Sequence, residues 1–252
     1  MSYTTAELVR RYKISPTQII HVGAWEGLDV PEYRTLGIPK ITLVEAMPDK
    51  ANALRKRFGH DEQIQIIEAA ASDTSNKTVT FYPLDYGSSS LLKPKIESLQ
   101  RIFADFIEVE PIAVQTMRID DIETSDTSKI MLIIDVQGAE LQVLRGSIEA
   151  LKKTVLLKVE VSTTIYYEGQ SYQNEIALFL RSKGFIRVSQ RISKKMGQGD
   201  AIFMRRGRTS ASSFILGQMM DLRWRLSIQK LNIHTVGSFW RRVQSKESFE
   251  SK

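Results

Sequence analysis

Two periods organise the apolar positions of this chain. Short apolar runs at 18–22 (QIIHV), 40–44 (KITLV), 64–70 (IQIIEAA), 130–134 (IMLII) and 154–161 (TVLLKVEV) predict buried strands. Apolar residues at helical spacing between them predict helices at 4–13, 29–36, 48–58, 95–106, 139–151 and 174–182. Pro31 and Pro48 suit the first turns of their helices, and Gly184 suits a helix end. Residues 77–83 (KTVTFYP) alternate with period two, as a half-exposed strand does. Residues 108–118 read as extended, with Pro111 arguing for an edge strand. Residues 185–192 and 201–204 read as a hairpin around Gly197 and Gly199. The alternation of strand and helix implies an α/β fold: a doubly wound, mostly parallel sheet that finishes in an antiparallel pair.

Within this pattern, residues 19–46 combine a strand, a glycine turn, a helix and a second strand ending in an acid. Glu45 lies 18 residues after Gly27. That layout serves a ribose-bearing ligand, with the acid on the ribose hydroxyls. A dinucleotide is excluded: the turn reads Gly23-Ala24-Trp25-Glu26-Gly27, with a bulky Trp25 at the middle-glycine position and Glu26 where a pyrophosphate would sit. A phosphate-free ligand carrying an ammonium or sulfonium, such as S-adenosylmethionine, suits it better. Glycines required only by steric packing remain the alternative.

Composition narrows the class. The 252 residues include no cysteine, which removes disulfides, thiolate metal sites and cysteine nucleophiles. No apolar run approaches the ~20 residues of a membrane span, and the first residues lack a signal-peptide core. A cytoplasmic location is expected, with attachment to a membrane periphery open. The net charge of +6 is unevenly placed: residues 206–252 hold nine Lys/Arg and three Asp/Glu, and the rest is neutral. Two domains follow, a globular part at 1–205 and a basic extension at 206–252. In the extension, Ile215, Met219, Leu222, Leu226 and Ile233 form one helical stripe, and Met220, Trp224, Ile228 and Leu231 a second. Two apolar faces fit a helix that packs on its own domain and on a second subunit, a protein partner or an anionic membrane surface. A helix that only covers the sheet is the plainer reading. The neutral globular part offers no basic track for nucleic acid.

Four stretches carry a family resemblance: HVGAWEG at 21–27, VEAMP at 44–48, AAASDTSNKTVTFYPLDYGSSSL at 69–91 and LIIDVQGAELQVLRG at 132–146. The chain resembles the FkbM-type S-adenosylmethionine-dependent methyltransferases. The resemblance implies a class I methyltransferase sheet of seven strands, Rossmann-like, with the last antiparallel and an added strand/helix insertion. It places Gly23, Ala24 and Gly27 at the amino-acid end of the donor, Glu45 with Ala46 at the ribose, and Ser72 and Asp73 near the adenine. It places Asp135 beside the transferable methyl. His21 stands where the family often has Asp, so it serves only as a neutral acceptor, with Glu26 as the substitute. Gln137 stands where the family commonly has Glu.

Asp135 and Glu160 both end buried strands, so both reach the carboxyl edge of the sheet, where such folds bind ligands. A paired acid there makes a general base, and these are the catalytic candidates. The plainer readings are a helix cap for Asp135 and, for Glu160, an ion pair with Lys158 or a loop lysine. Glu140 fits dipole complementarity at a helix start. Ser89 and Ser90 are candidates for a sugar or the donor carboxylate, against a simple turn. Tyr166, beside Tyr167, is a candidate for stacking on substrate, against an ordinary packed pair. A divalent metal would need acidic oxygens such as those of Asp135 and Asp120; a helix start is the stronger reading of Asp120 and Asp121, and no metal site is assigned. The expected activity is methyl transfer to an oxygen of a sugar or glycan, with a nucleic-acid methyltransferase or a non-catalytic binding module as alternatives.

Overall fold

A computed structural model describes residues 3–84, 87–100 and 110–206. The expected extension at 207–252, the second half of the expected helix at 95–106, and residues 108–109 lie outside the described residues.

The chain runs α1 (Thr5–Tyr12), β1 (Gln18–Val22), α2 (Val30–Thr35), β2 (Lys40–Glu45), α3 (Pro48–Phe58), β3 (Ile64–Glu68), β4 (Ala70–Ala71) and β5 (Thr78–Phe81). It continues through α4 (Ile96–Gln100), β6 (Ile112–Met117), β7 (Ile130–Ile134), α5 (Glu140–Arg145), α6 (Ile148–Lys153), β8 (Thr154–Ser162), α7 (Gln173–Ser182), β9 (Phe185–Ile192) and β10 (Gln198–Arg205). Seven strands form one sheet in the order β3-β2-β1-β7-β8-β10-β9. Pairing is parallel from β3 to β8, and β10 runs antiparallel to both neighbours. The strand order reverses between β1 and β7, which opens a crevice at their carboxyl ends.

Alternate residues of the central strands feed two apolar layers. Ile20, Val22, Leu132 and Ile134 pack with α5, α6 and α7 on one face, through Leu141, Leu151 and Ile176. Ile19, Met131 and Ile133 pack on the other with α1, α2 and α3, through Leu8, Tyr33 and Leu54. Burial on both faces is what makes these strands read as continuous apolar runs. Among the described residues, no helix is long and apolar enough to cross a membrane.

Three expectations are corrected. The strand expected at 64–70 ends at Glu68, and Ala70 and Ala71 join a separate three-stranded sheet of order β4-β6-β5. β6 is therefore central in that sheet, not an edge; Pro111 precedes the strand and removes no ladder bond. The helix expected at 139–151 is two helices. They are divided at Gly146, where a Cβ would lie 2.0 Å from the Ser72 carbonyl oxygen. Asp120 then starts α6, its Oδ1 accepting from Glu149 N at 2.8 Å and Ala150 N at 2.9 Å. That cap takes backbone donors that helix starts leave unpaired.

The loop from β7 to α5 is held by Glu140. Its buried Oε1 accepts from Gly138 N at 2.9 Å and Val136 N at 3.3 Å. Burial raises its pKa from 4.5 to about 7 against the pull of those donors. The folded protein thus binds this proton more tightly than the unfolded chain does, and its stability falls as pH rises through that window.

Two outcomes follow. Asp120→Ala should lose about 1–2 kcal/mol in urea unfolding, while Asp126→Ala, whose carboxylate is fully exposed beside Lys153, should change stability by less than about 0.5 kcal/mol. Glu140→Gln should remove a fall in stability of roughly 3 kcal/mol between about pH 4.5 and pH 7, read as the difference between wild-type and variant urea midpoints across pH.

Candidate active site

A cleft sits at the switch point. Its lining comes from the end of β1 (Val22, Gly23, Trp25), the end of β2 (Val44, Glu45, Ala46, Met47), residues 69–71 after β3, and the tip of β7 (Asp135, Val136). The insertion closes the far side with Phe81, Gly87, Ser89 and Leu91. The cleft is partly open to solvent on the side away from its floor. Among the described residues that line it, only Glu45 and Asp135 are charged.

Backbone geometry fixes the floor. Gly23 N donates to Val44 O at 2.9 Å, and Asp135 N donates to Val22 O at 3.0 Å, so three strand ends converge. A Cβ on Gly23 would lie 1.8 Å from the Asp135 carbonyl oxygen. Glu45 binds the glycine turn: Oε2 accepts from Trp25 N at 2.7 Å and Oε1 from Met47 N at 2.9 Å. Burial pushes the Glu45 carboxyl above its usual pKa, and these N–H donors oppose the shift. Trp25, at φ 46, turns its ring toward Gly87, and Lys50 Nζ stands 5.4 Å from the ring centroid.

The expected donor residues divide. Gly23, Glu45, Ala46 and Asp135 line the cleft. His21 faces the opposite way, into the α1–α2 layer, where Nδ1 meets the Tyr33 hydroxyl at 3.0 Å. Burial lowers its pKa to about 4, so it is neutral. Glu26 is paired with Lys50 at 3.0 Å instead of filling the charge His21 lacks. Ala24 is buried in the same layer, and Gly27 is required by packing, since a Cβ would lie 2.8 Å from Leu54 and Phe58. Ser72 is buried with its N–H on Met117 O at 2.8 Å, and Asp73 is exposed; neither lines the cleft.

The expected substrate residues divide as well. Ser89 lines the cleft, with its hydroxyl on Leu84 O at 3.0 Å. Ser90 is buried, donating to Gln137 O at 2.7 Å, and so ties the insertion to the β7 tip. Tyr166 is 3% exposed, packs with Leu84, Leu99 and Tyr167, and donates its hydroxyl to Met196 O. Stacking on substrate is thereby corrected to core packing. Asp120 is spent on α6, and among the described residues no three acidic or histidine side chains gather as a metal site.

The strand register brings three acids into one row. Asp200 pairs with Glu160 across β10 and β8, and Asp135 lies one step past the Ile134–Val159 pair. Lys158 is committed to Asp200 at 3.5 Å, so it does not serve Glu160 as an ion pair. Gln137 Nε2 donates to Asp135 Oδ1 at 2.7 Å and to Glu160 Oε2 at 2.8 Å. Burial first, then the charges of Asp135, Glu140 and Asp200, raise Glu160 well above the usual carboxylate range. Asp135 is exposed to the cleft; desolvation by the surrounding rim raises its carboxyl, while Gln137 pulls it down. Sequence reasoning missed Asp200, whose place depends on register, and the lining side chains Met47, Phe81 and Leu91. Met47 alone carried a signal, as the residue two after the ribose acid.

The family model described as "Methyltransferase FkbM domain" matches residues 21–187. The chain is 32% identical over 164 residues to the 2-O-methyltransferase NoeI of Sinorhizobium fredii, covering 60% of this chain and 66% of that protein, just under two thirds of its length. A crystal structure of methyltransferase FkbM from Methylobacillus flagellatus aligns at 13% identity and a TM-score of 0.49, over 74% of this chain and 43% of that one. The 1,6-didemethyltoxoflavin-N1-methyltransferase of Burkholderia thailandensis, solved with S-adenosylhomocysteine, aligns at 11% identity and a TM-score of 0.45, over 80% and 76%. The fold rests on the strand order, and the family on the matched residues: the chain belongs to the FkbM methyltransferase family.

Proposed function

We propose that this protein transfers a methyl group from S-adenosylmethionine to a hydroxyl oxygen of a neutral sugar or glycan. The observation that carries the reading is one largely apolar cleft at the switch point whose charged lining, among the described residues, is Glu45 and Asp135 alone. Both are acidic, and Glu26 is taken up by Lys50 at the turn. That suits a cationic ligand with a ribose and disfavours a pyrophosphate. The apolar walls, including Ala69, Ala70, Phe81 and Leu91, suit a flat adenine ring.

The residues present fit the donor. A carboxylate offers about four lone-pair sites, and Glu45 uses one on Trp25 N and one on Met47 N. The remainder can accept from two ribose hydroxyls. When bound, S-adenosylmethionine supplies the methyl as an electrophile already activated by its sulfonium. The chain then has to orient an oxygen nucleophile, worth up to several kcal/mol, and take its proton. Asp135 is the base in reach of the cleft, with Glu160 behind it. The row of acids favours a neutral acceptor over a phosphorylated or carboxylated one. The name of the relative, a 2-O-methyltransferase, supports oxygen as the nucleophile.

Calorimetric titration with S-adenosylmethionine tests the donor reading. The wild type should bind, and Glu45→Gln should bind about tenfold to a hundredfold more weakly, the loss of hydrogen bonds to a charged group. No heat in the wild type would remove the reading. Mass spectrometry of neutral glycosides incubated with enzyme and donor should show a gain of one methylene, and the uronic acid analogues should show less.

A further inference from the structure

Among the described residues, four other than glycine stand at positive φ: Lys13, Trp25, Asn76 and Gln137. Lys13 ends α1, and Asn adopts this conformation readily in turns. Gln137 has neither context. It stands at φ 54, directly before Gly138 at φ 100, in the loop between β7 and α5. A side chain in that conformation persists only where its surroundings over-determine it. Here they do: the Ser90 hydroxyl holds Gln137 O at 2.7 Å, and Glu140 holds Gly138 N at 2.9 Å. The loop is thereby fixed with the Gln137 amide between two carboxyls. Each amide hydrogen has its own acceptor, Asp135 Oδ1 at 2.7 Å and Glu160 Oε2 at 2.8 Å.

We propose that Gln137 is a positioning residue whose amide ties Asp135 and Glu160 into a pair holding one proton, with the charged member, Asp135, on the cleft side. The proposal rests on the methyl-transfer reading of the cleft. Two carboxylates this close do not both ionise without cost. Both carboxyls are raised, Glu160 the more strongly, so the shared proton is assigned to Glu160 and the charge to Asp135. Other groups face the pair from every side: Glu140 from α5, Asp200 from β10, Lys158 from β8, and Tyr167, whose hydroxyl is committed to Ser88 O at 2.6 Å. Among the described residues, only Gln137 donates to both members at once. In the reaction, the acceptor's hydroxyl proton passes to Asp135 as the new C–O bond forms and the C–S bond breaks, its electron pair staying on sulfur. The pair then holds two protons and returns one to water after product leaves.

The first test needs neither donor nor acceptor. Carboxyl carbon-13 shifts are followed across pH in the wild type, in Gln137→Gly and in Gln137→Met, with Asp135→Asn and Glu160→Gln used for assignment. Gln137→Gly suits the positive φ, so it should fold with an unchanged or higher Tm; Gln137→Met keeps the bulk. In both variants the lower apparent midpoint of the pair should rise by about one pH unit, because the anion has lost its shared donor. The Glu140 midpoint should stay in place. A lower midpoint that does not move in folded Gln137→Gly would overturn the proposal. The second test is the pH profile of kcat/KM on a neutral glycoside. Its acid limb should move up with that midpoint in both variants. A purely structural role would lower kcat/KM at every pH and leave the limb where it was. If the wild type binds no donor, the methyl-transfer reading falls, and the carboxyl titration still decides whether Gln137 holds the pair.

Discussion

The site depends on one close approach, between the backbone of Gly23 and the carbonyl of Asp135. A side chain at position 23 would overlap that carbonyl, at 1.8 Å from Cβ to oxygen. The strand ends are already joined there, Asp135 N to Val22 O and Gly23 N to Val44 O. Any residue but glycine would part β7 from β1 and split the floor of the cleft. Glycine also supplies the positive φ, 80°, that swings the chain away from the sheet and brings Trp25 N onto Glu45. Scaffold and ligand access are therefore one constraint: the contact that closes the sheet is the one that leaves the cleft open above it.

Around that floor the chain gathers carboxylates, and it supplies each with donors. Glu45 takes two backbone N–H groups, and so does Glu140. Asp200 takes Tyr3 N at 2.9 Å and Lys158. Buried charge without such partners costs far more than a fold of ordinary stability can absorb. Among the described residues, Asp135 and Glu160 differ in sharing one side-chain donor, the Gln137 amide. Desolvation with few donors raises both, which is the direction a group needs if it is to accept a proton near neutral pH.

Much of this was legible along the chain. Apolar runs located β1, β2, β3, β7 and β8, most plainly those buried on both faces, and the glycines at 197 and 199 marked the β9–β10 hairpin. Asp135 and Glu160 were legible as rim acids because each directly ends or interrupts such a run. What escaped was set by contacts distant in sequence. The need for glycine at 146 comes from Ser72, and the α6 cap comes from Asp120. Ala70 and Ala71 read as the tail of a strand, yet they pair with Thr116 and Met117 in another sheet. His21 sits in an apolar run whose facing decides its role, and one step of alternation turns it to Tyr33 rather than to the cleft. Tyr166 carried no local sign that its hydroxyl would be used on Met196 O.

Backbone strain singles out the same places as the chemistry. Trp25 and Gln137 border the cleft or its acid pair, and both hold a conformation glycine would adopt more cheaply. A chain selected for stability alone would carry glycine at both. Their side chains explain why it does not. The indole of Trp25 spans from the Lys50 ammonium to Gly87, joining the glycine turn to the insertion across the mouth of the cleft. The amide of Gln137 spans from β7 to β8, joining the two acids behind it. Trp25 thus links segments outside the sheet, and Gln137 extends the β7–β8 connection one residue past its last ladder pair. The strain is the energetic trace of a site that the fold had to accommodate after its core was satisfied.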